Sequence, residues 1–384
     1  MKRTLNAAVV GTGFIGPVHV EALLRAGIHV TGILGSTPEK SITAAESLGL
    51  PRGYASMEEI LADNAVDSVH LTSPNRFHYD QALAVINAGK HVLCEKPLAM
   101  NSVESRWLVE LANQSGVVAG VAYNIRFYPL CHEAAARVAA PDFGDVLHIT
   151  GSYVQDWLLK ESDFNWRVLA EDGGELRAVS DIGTHWLDLV QFISGKKVEA
   201  VCADLQTVHS QRQRPIGGAK TFSGDVSGET EPVSIQTEDA GSILLKFSGG
   251  GRGSLHVSQT TAGRKNCLRF EIAGGRQALS FNSEQPNSIW VGHRDQPGQT
   301  LLRDPALMHP SAANISSYPA GHCDGFPDTF KQLFRSFYGY IQAGDFSAPR
   351  PFPTFEDGHR EMLLCDAILK SHREQRWIDV ESEK

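Results

Sequence analysis

Apolar and polar positions in the first third of the chain alternate between two periods. Runs of strand length rich in apolar residues occur at 6–10, 29–34, 91–95 and 117–123, with a half-apolar one at 66–71. Between them, residues 18–26, 41–48, 57–62, 79–88 and 103–114 carry apolar side chains at helical spacing. Gly27 and Gly89 stand where two of these helices must stop, and Ser56 suits the N-cap of the short one. Apolar strands alternating with helices predict a parallel, doubly wound sheet covered on both faces.

Beyond residue 124 the texture changes. Stretches 143–154, 198–207, 233–247, 253–260, 267–273 and 277–281 read as strands that follow one another with few helices between, which predicts a mainly antiparallel sheet. Helices are expected at 129–139, 185–194, 329–343 and 355–372. The polar, Gly-rich stretch 206–232 reads as a long hairpin connection or mobile loop, and 282–328 as loop-rich. The expected architecture is α/β throughout, with a doubly wound domain at 1–124 and a second α/β domain at 125–384. The second is built on a large, mainly antiparallel open sheet, and its final helix is expected to pack back on the first domain. One face of such a sheet is left for helices or for another subunit.

Composition narrows the partners. A length of 384 residues suits two domains, and a formal net charge of −9 disfavours nucleic acid or an anionic membrane. The six cysteines include no CxxC pair and no zinc spacing, as expected of reduced thiols. The apolar run after Met1-Lys2-Arg3 breaks at Gly11, so a first strand is expected there and not a signal peptide. No apolar run reaches transmembrane length. A cytoplasmic location is the expectation.

Candidate chemistry gathers at three places. The first strand runs into Gly11-Thr12-Gly13-Phe14-Ile15-Gly16. In a strand–loop–helix setting these glycines allow a tight turn, close backbone approach to a pyrophosphate and close helix–strand packing, which points to a dinucleotide. The second strand ends in Gly35-Ser36-Thr37-Pro38-Glu39-Lys40, without the tip acid that binds a ribose 2′-hydroxyl. Ser36, Thr37 and Lys40 suit a 2′-phosphate, but no Arg is present, so NAD and NADP both stay open. The fourth strand stops on Glu95-Lys96-Pro97, delivering polar side chains to the crevice where open α/β sheets bind ligands. A Lys-Pro bond is also one of the few that adopts cis at modest cost. Third, Asp181, His185 and Asp188 stand at i, i+4 and i+7, so on one helix face a carboxylate would sit beside an imidazole. That spacing fits a general base and its orienting acid. It equally fits a helix cap with a satisfied core histidine, or a metal pair, for which no third ligand is evident.

The ordered set GTGFIG, SPNRFHYDQALAVINAGKHVLCEKPLA, NWR and GGELRAVSDIGTHWLDL resembles the Gfo/Idh/MocA family over essentially the whole chain. The resemblance implies a Rossmann domain, a nicotinamide cofactor (NAD or NADP) and oxidation of a sugar, inositol or polyol. It also implies a homodimer or homotetramer through the C-terminal sheet. Lys96, His185 and Asp181 correspond to the family's catalytic lysine, its general acid/base and the acid beside it. Gly11, Gly13, Phe14, Ile15, Gly16, Ser36 and Thr37 fall at the nucleotide end of the cofactor. Ser73, Pro74, Asn75, His78, Glu95, Lys96, Trp166 and Arg167 fall at its nicotinamide end. Tyr128, Trp157, Arg177 and His322 join Lys96, Asp181 and His185 on the substrate face, and no metal is implied. The same scaffold leaves open a redox-neutral enzyme with tightly held NAD, or a non-catalytic dinucleotide-dependent regulator.

Overall fold

The computed structural model describes residues 4–216 and 228–380. The chain divides into two units, Met1–Asn124 with Phe326–Met362, and Ile125–Gly325 with Leu363–Lys384.

In the first unit, β1 (Asn6–Val10), β2 (His29–Leu34), β3 (Ser68–Leu71), β4 (His91–Cys94) and β5 (Ala119–Val121) form one parallel sheet in the order β2-β1-β3-β4-β5. Only the first residue of β1, β2 and β4 escapes full burial, as the apolar runs require. Helices α1 (Ile15–Arg25), α2 (Pro38–Leu48), α3 (Met57–Ala62), α4 (His78–Asn87) and α5 (Ser102–Ser115) connect the strands. Ser56 caps α3 by accepting from the Glu59 N–H, Thr37 caps α2 and Asn101 caps α5. The chain moves from β1 to β2 on one side and then to β3 on the other. The ends of β1 and β3 therefore flank the switch point where such sheets bind ligands. Thr72, just past β3, fastens that point by donating from Oγ1 to the Val10 carbonyl at 2.8 Å.

The second unit opens with α6 (Pro129–Ala139) and β6 (Val146–Val154), followed by the short α7 (Ala170–Gly173) and α8 (Thr184–Ser194). Then come β7 (Val198–Gln206), β8 (Gln211–Pro215), β9 (Thr230–Ser234), β10 (Ala240–Phe247), β11 (Arg252–Ser258), β12 (Cys267–Gly274), β13 (Gln277–Asn282), β14 (Ser288–His293), β15 (Gln299–Leu302), a short α9 (Pro310–Ala313) and β16 (Ile378–Asp379). The large sheet runs β15-β14-β13-β12-β6-β11-β10-β7-β16, antiparallel except for the central β6–β11 pair. One face buries Ile149, Ile243, Leu245, Leu255, Val257, Phe270 and Ile272. Gly151 lets α8 approach this face. A Cβ there would lie 2.1 Å from the Arg269 carbonyl and 2.5 Å from Trp186 Nε1. The opposite face carries Thr150, Ser242, Leu244, Glu271 and Trp290.

Three expectations change. The single strand expected over 233–247 is two, with β9 pairing β8 in a separate hairpin and β10 beginning only at Ala240. The intervening Glu238 and Asp239 leave the ladder because their carboxylates serve buried side-chain and backbone donors. The stretch 206–232, expected as a long hairpin connection or mobile loop, holds β8 and the start of β9, while residues 217–227 lie outside the described residues. The loop-rich 282–328 contains β14 and β15, which extend the sheet edge through pairs such as Trp290 opposite Thr300.

Candidate active site

The loop after β1 has the shape a dinucleotide needs. Gly11 has φ +115°, and a Cβ on it would meet Thr72 Oγ1 at 2.5 Å. At Gly16 a Cβ would fall 2.0 Å from the Gly11 carbonyl, so this glycine lets α1 begin directly against the strand end. At Gly13 a Cβ would meet nothing within 4 Å. The open space there fits a pyrophosphate laid on the helix N-terminus. Phe14 is exposed and Ile15 partly so. At the end of β2 the Lys40 ammonium donates to Ser36 Oγ at 3.0 Å, and Thr37 is occupied in capping α2.

The ends of β3 and β4 are clasped by a histidine. His78 is buried and sets Nδ1 2.7 Å from the Pro97 carbonyl and Nε2 2.9 Å from the Ser73 carbonyl. Burial pushes its pKa down, against the pull of those two carbonyls and of Glu95. His78 was expected at the nicotinamide ribose. In the neutral ring one nitrogen donates to its carbonyl and the other only faces its own, so His78 lies between the Ser73 and Pro97 loops. Ser73 Oγ donates to Gln81 Oε1 at 2.6 Å, Pro74 opens the turn, and Asn75 is buried. The Lys96-Pro97 bond is cis. Glu95 accepts from the Lys96 N–H at 3.2 Å and faces His19 Nε2 at 3.0 Å through its other oxygen.

In the second unit, Asp181 and His185 lie on one continuous helical segment whose first part, Val179–Gly183, is wound as a π-helix. Such wide turns are rare and concentrate at functional sites. Asp181 accepts from Gln259 Nε2 at 2.8 Å through one oxygen, and Arg167 Nε stands 3.3 Å from the other. The Arg167 guanidinium also lies over the Trp166 ring at 4.4 Å, so that motif meets Asp181 through Arg167. His185 is buried, with the Tyr153 ring 6.2 Å away. Asp188 does not join them: it binds Arg126, whose Nε donates to Oδ2 at 2.7 Å. Asp181 lies in the π-turn, while His185 and Asp188 both lie in the regular helix α8.

The remaining expected substrate residues divide. Trp157 donates from Nε1 to Gln155 Oε1 at 2.8 Å, and Gln155 donates to Asn266 Oδ1, which Tyr153 also holds at 2.6 Å. Tyr128 is buried with its ring 5.8 Å from Phe281. His322 is exposed on a loop whose carbonyls are gathered by Arg303. Arg177 has a fully buried guanidinium whose Nη2 faces Asp239, a carboxylate it shares with Arg212. The neighbouring Glu238 carboxylate accepts from the N–H groups of Arg177 and Val179, and burial pushes its pKa up. Arg177 thus anchors the start of the Asp181–His185 segment.

Several polar residues were not found by sequence reasoning: Gln155, Asn266, Gln259 and Tyr153. Gln155 and Gln259 each stand one residue past the end of β6 and β11, the only parallel pair in this sheet. Strand ends were a usable signal in the first unit. In the second, the parallel pairing that makes them equivalent was not visible.

A glycine-formed nucleotide loop at a switch point defines the class: a dinucleotide-binding enzyme of the Rossmann type. Family descriptions match on both units, "Oxidoreductase family, NAD-binding Rossmann fold" over residues 5–123 and "GFO/IDH/MocA C-terminal domain" over residues 131–280. The chain belongs to the Gfo/Idh/MocA family of NAD-binding oxidoreductases. It is 28% identical over 393 residues to a levoglucosan dehydrogenase of Pseudarthrobacter phenanthrenivorans, spanning 98% of each chain. A D-xylose 1-dehydrogenase (NADP(+)) of Haloferax volcanii is 35% identical over 146 residues, 38% of this chain and 45% of that one. A solved levoglucosan dehydrogenase in complex with NADH and L-sorbose matches with a TM-score of 0.89 at 28% identity, over 99% of this chain and 100% of the other. Among the described residues, no helix is long and apolar enough to cross a membrane.

Proposed function

We propose that this protein is an NAD(P)-dependent dehydrogenase that oxidises a secondary hydroxyl of a sugar, inositol or polyol. The observation that carries the reading is the double anchoring of Asp181 by Gln259 and Arg167 on the π-turn that leads into the helix carrying His185. Gly11, Gly13 and Gly16 hold the pyrophosphate, and the Ser73–Asn75 and Glu95–Lys96 strand ends hold the nicotinamide end. The nicotinamide supplies the hydride acceptor. His185 takes the hydroxyl proton as general base, and Asp181 orients the ring and supports the imidazolium. Lys96 donates to the substrate oxygen as it becomes a carbonyl, where negative charge is greatest in the transition state. Gln155, Asn266 and Trp157 offer the donors and acceptors that a polyhydroxylated substrate requires. Substrates of the levoglucosan and D-xylose dehydrogenases support that class.

The Ser36–Lys40 pair, with no acid at the β2 tip, favours acceptance of NADP beside NAD. The exposed Leu244 and Trp290 on the open face of the large sheet favour a homodimer or homotetramer formed there. Six free cysteines suit a cytoplasmic, reducing location. The test offers purified protein NAD⁺ and NADP⁺ separately across a panel of sugars, inositols and polyols, alongside Lys96→Ala. Reduction that depends on Lys96 supports the reading. Tight dinucleotide binding without reduction of either cofactor overturns it in favour of a redox-neutral or regulatory protein.

A further inference from the structure

A chain of buried ionisable groups runs from Glu95 into the first unit, and nothing in the reaction above uses it. Glu95 Oε1 lies 3.0 Å from His19 Nε2, and His19 Nδ1 lies 3.0 Å from His70 Nδ1. His70 Nε2 is 2.8 Å from the Tyr338 hydroxyl, which is 2.6 Å from Ser68 Oγ. All five side chains are buried, and Phe330 and Phe334 pack on His19, with Phe334 also on His70. Two imidazoles meeting nitrogen to nitrogen form a hydrogen bond only if one donates and the other accepts, which makes the whole chain directional.

Two states satisfy every link. With Glu95 ionised and both imidazoles neutral, His19 Nε2–H donates to Glu95 and His70 Nδ1–H donates to His19. Tyr338 then donates to His70, and Ser68 donates to Tyr338. If one proton enters the chain at its Ser68 end, each group passes its own proton onward. Ser68 gives to Tyr338, Tyr338 to His70 Nε2, and His70 gives its Nδ1 proton to His19. The result is a His19 imidazolium against the Glu95 carboxylate, with His70 protonated on Nε2 alone. No other bond changes.

We propose that His19 is a positioning residue that sets the net charge at Glu95, so that the Glu95–His19 pair takes up a proton when the nicotinamide is reduced. The oxidised ring carries a positive charge that the reduced ring lacks. With His19 neutral, the negative charge of the Glu95 carboxylate therefore favours the oxidised form, and the protonated pair favours the reduced form. This rests on the reading that the Glu95–Lys96 strand end holds the nicotinamide. Other ionisable groups act on the same chain: Lys96 and His78 stand with Glu95 at the strand ends, Cys94 precedes it, and Asp67 acts on Tyr338. Burial, and then His19, hold His70 well below the usual histidine range.

Calorimetric titration of the intact protein with oxidised and reduced dinucleotide, in buffers of different ionisation heat, counts the protons taken up. More uptake is expected with the reduced form. The ratio of oxidised to reduced Kd is expected to rise as pH falls, by at most about tenfold per pH unit. In His19→Gln, which keeps a donor for Glu95 but accepts no proton, that slope is expected to flatten. Equal uptake by both forms in the wild type, or an unchanged slope in His19→Gln, overturns the proposal. If neither dinucleotide binds at all, the nicotinamide reading itself fails.

Discussion

The dinucleotide loop and the segment carrying Asp181 and His185 are held in different ways. At the loop, backbone decides: Gly11 and Gly16 are fixed by contacts within a dozen residues and by Thr72. At the segment, side chains from far along the chain decide. Gln259 reaches Asp181 across 78 positions, and Glu238 and Asp239 hold Arg177 across 61 and 62. A loop set by close backbone approach tolerates no Cβ at Gly11 or Gly16. A segment set by remote partners fails whenever one of them is removed, although its own sequence is intact.

Substitutions on the two sides should separate these modes. The largest effect is expected for Lys96→Ala, with turnover lower by about 10²–10⁴-fold and dinucleotide binding kept. Steady-state kinetics with a binding titration would check it, and retained turnover would remove Lys96 from the chemistry. Arg177→Met leaves the buried Asp239 with one guanidinium and should destabilise the fold by about 3–5 kcal/mol, read by urea unfolding. A variant of unchanged stability with a raised KM would instead keep Arg177 on the substrate face. Burial raises the Asp239 pKa, but Arg177 and then Arg212 outweigh it and hold the group below the ordinary 3.8. Its contribution is therefore present above that value and is lost as pH falls through the lower, folded one. Thermal unfolding of Arg177→Met should show its acid limb at higher pH than wild type.

Gln259→Leu should weaken the hold on Asp181 by about 1.5–3 kcal/mol of hydrogen bonding to a charged group, seen as a loss of turnover with dinucleotide affinity unchanged. Gly16→Ala should do the reverse. Its Cβ has to displace the Gly11 carbonyl at a cost of about 1–3 kcal/mol, felt in dinucleotide Kd. Were both variants to alter the same parameter, the contrast between the two regions would be wrong.

Much of the first unit was legible from sequence because its strands are short, buried on both faces and punctuated by glycine. The GxGxxG and Glu95-Lys96-Pro97 motifs therefore announced their own geometry. The second unit yielded its mainly antiparallel character. The π-turn, the Arg126–Asp188 bond and the burial of Arg177 stayed hidden. None of these follows from period or propensity. Each depends on a partner that only the folded chain brings near, and Glu238-Asp239 sat inside what reads as one long strand.

The most direct test of the account follows one hydrogen. A sugar that supports turnover, carrying deuterium at the carbon to be oxidised, is incubated with the protein and its cofactor, and the released nicotinamide is examined by mass spectrometry. Deuterium on the reduced nicotinamide, with a keto or lactone product, is the predicted result. Deuterium returned to the sugar product, with no reduced cofactor released, would contradict a dehydrogenase and establish a redox-neutral reaction.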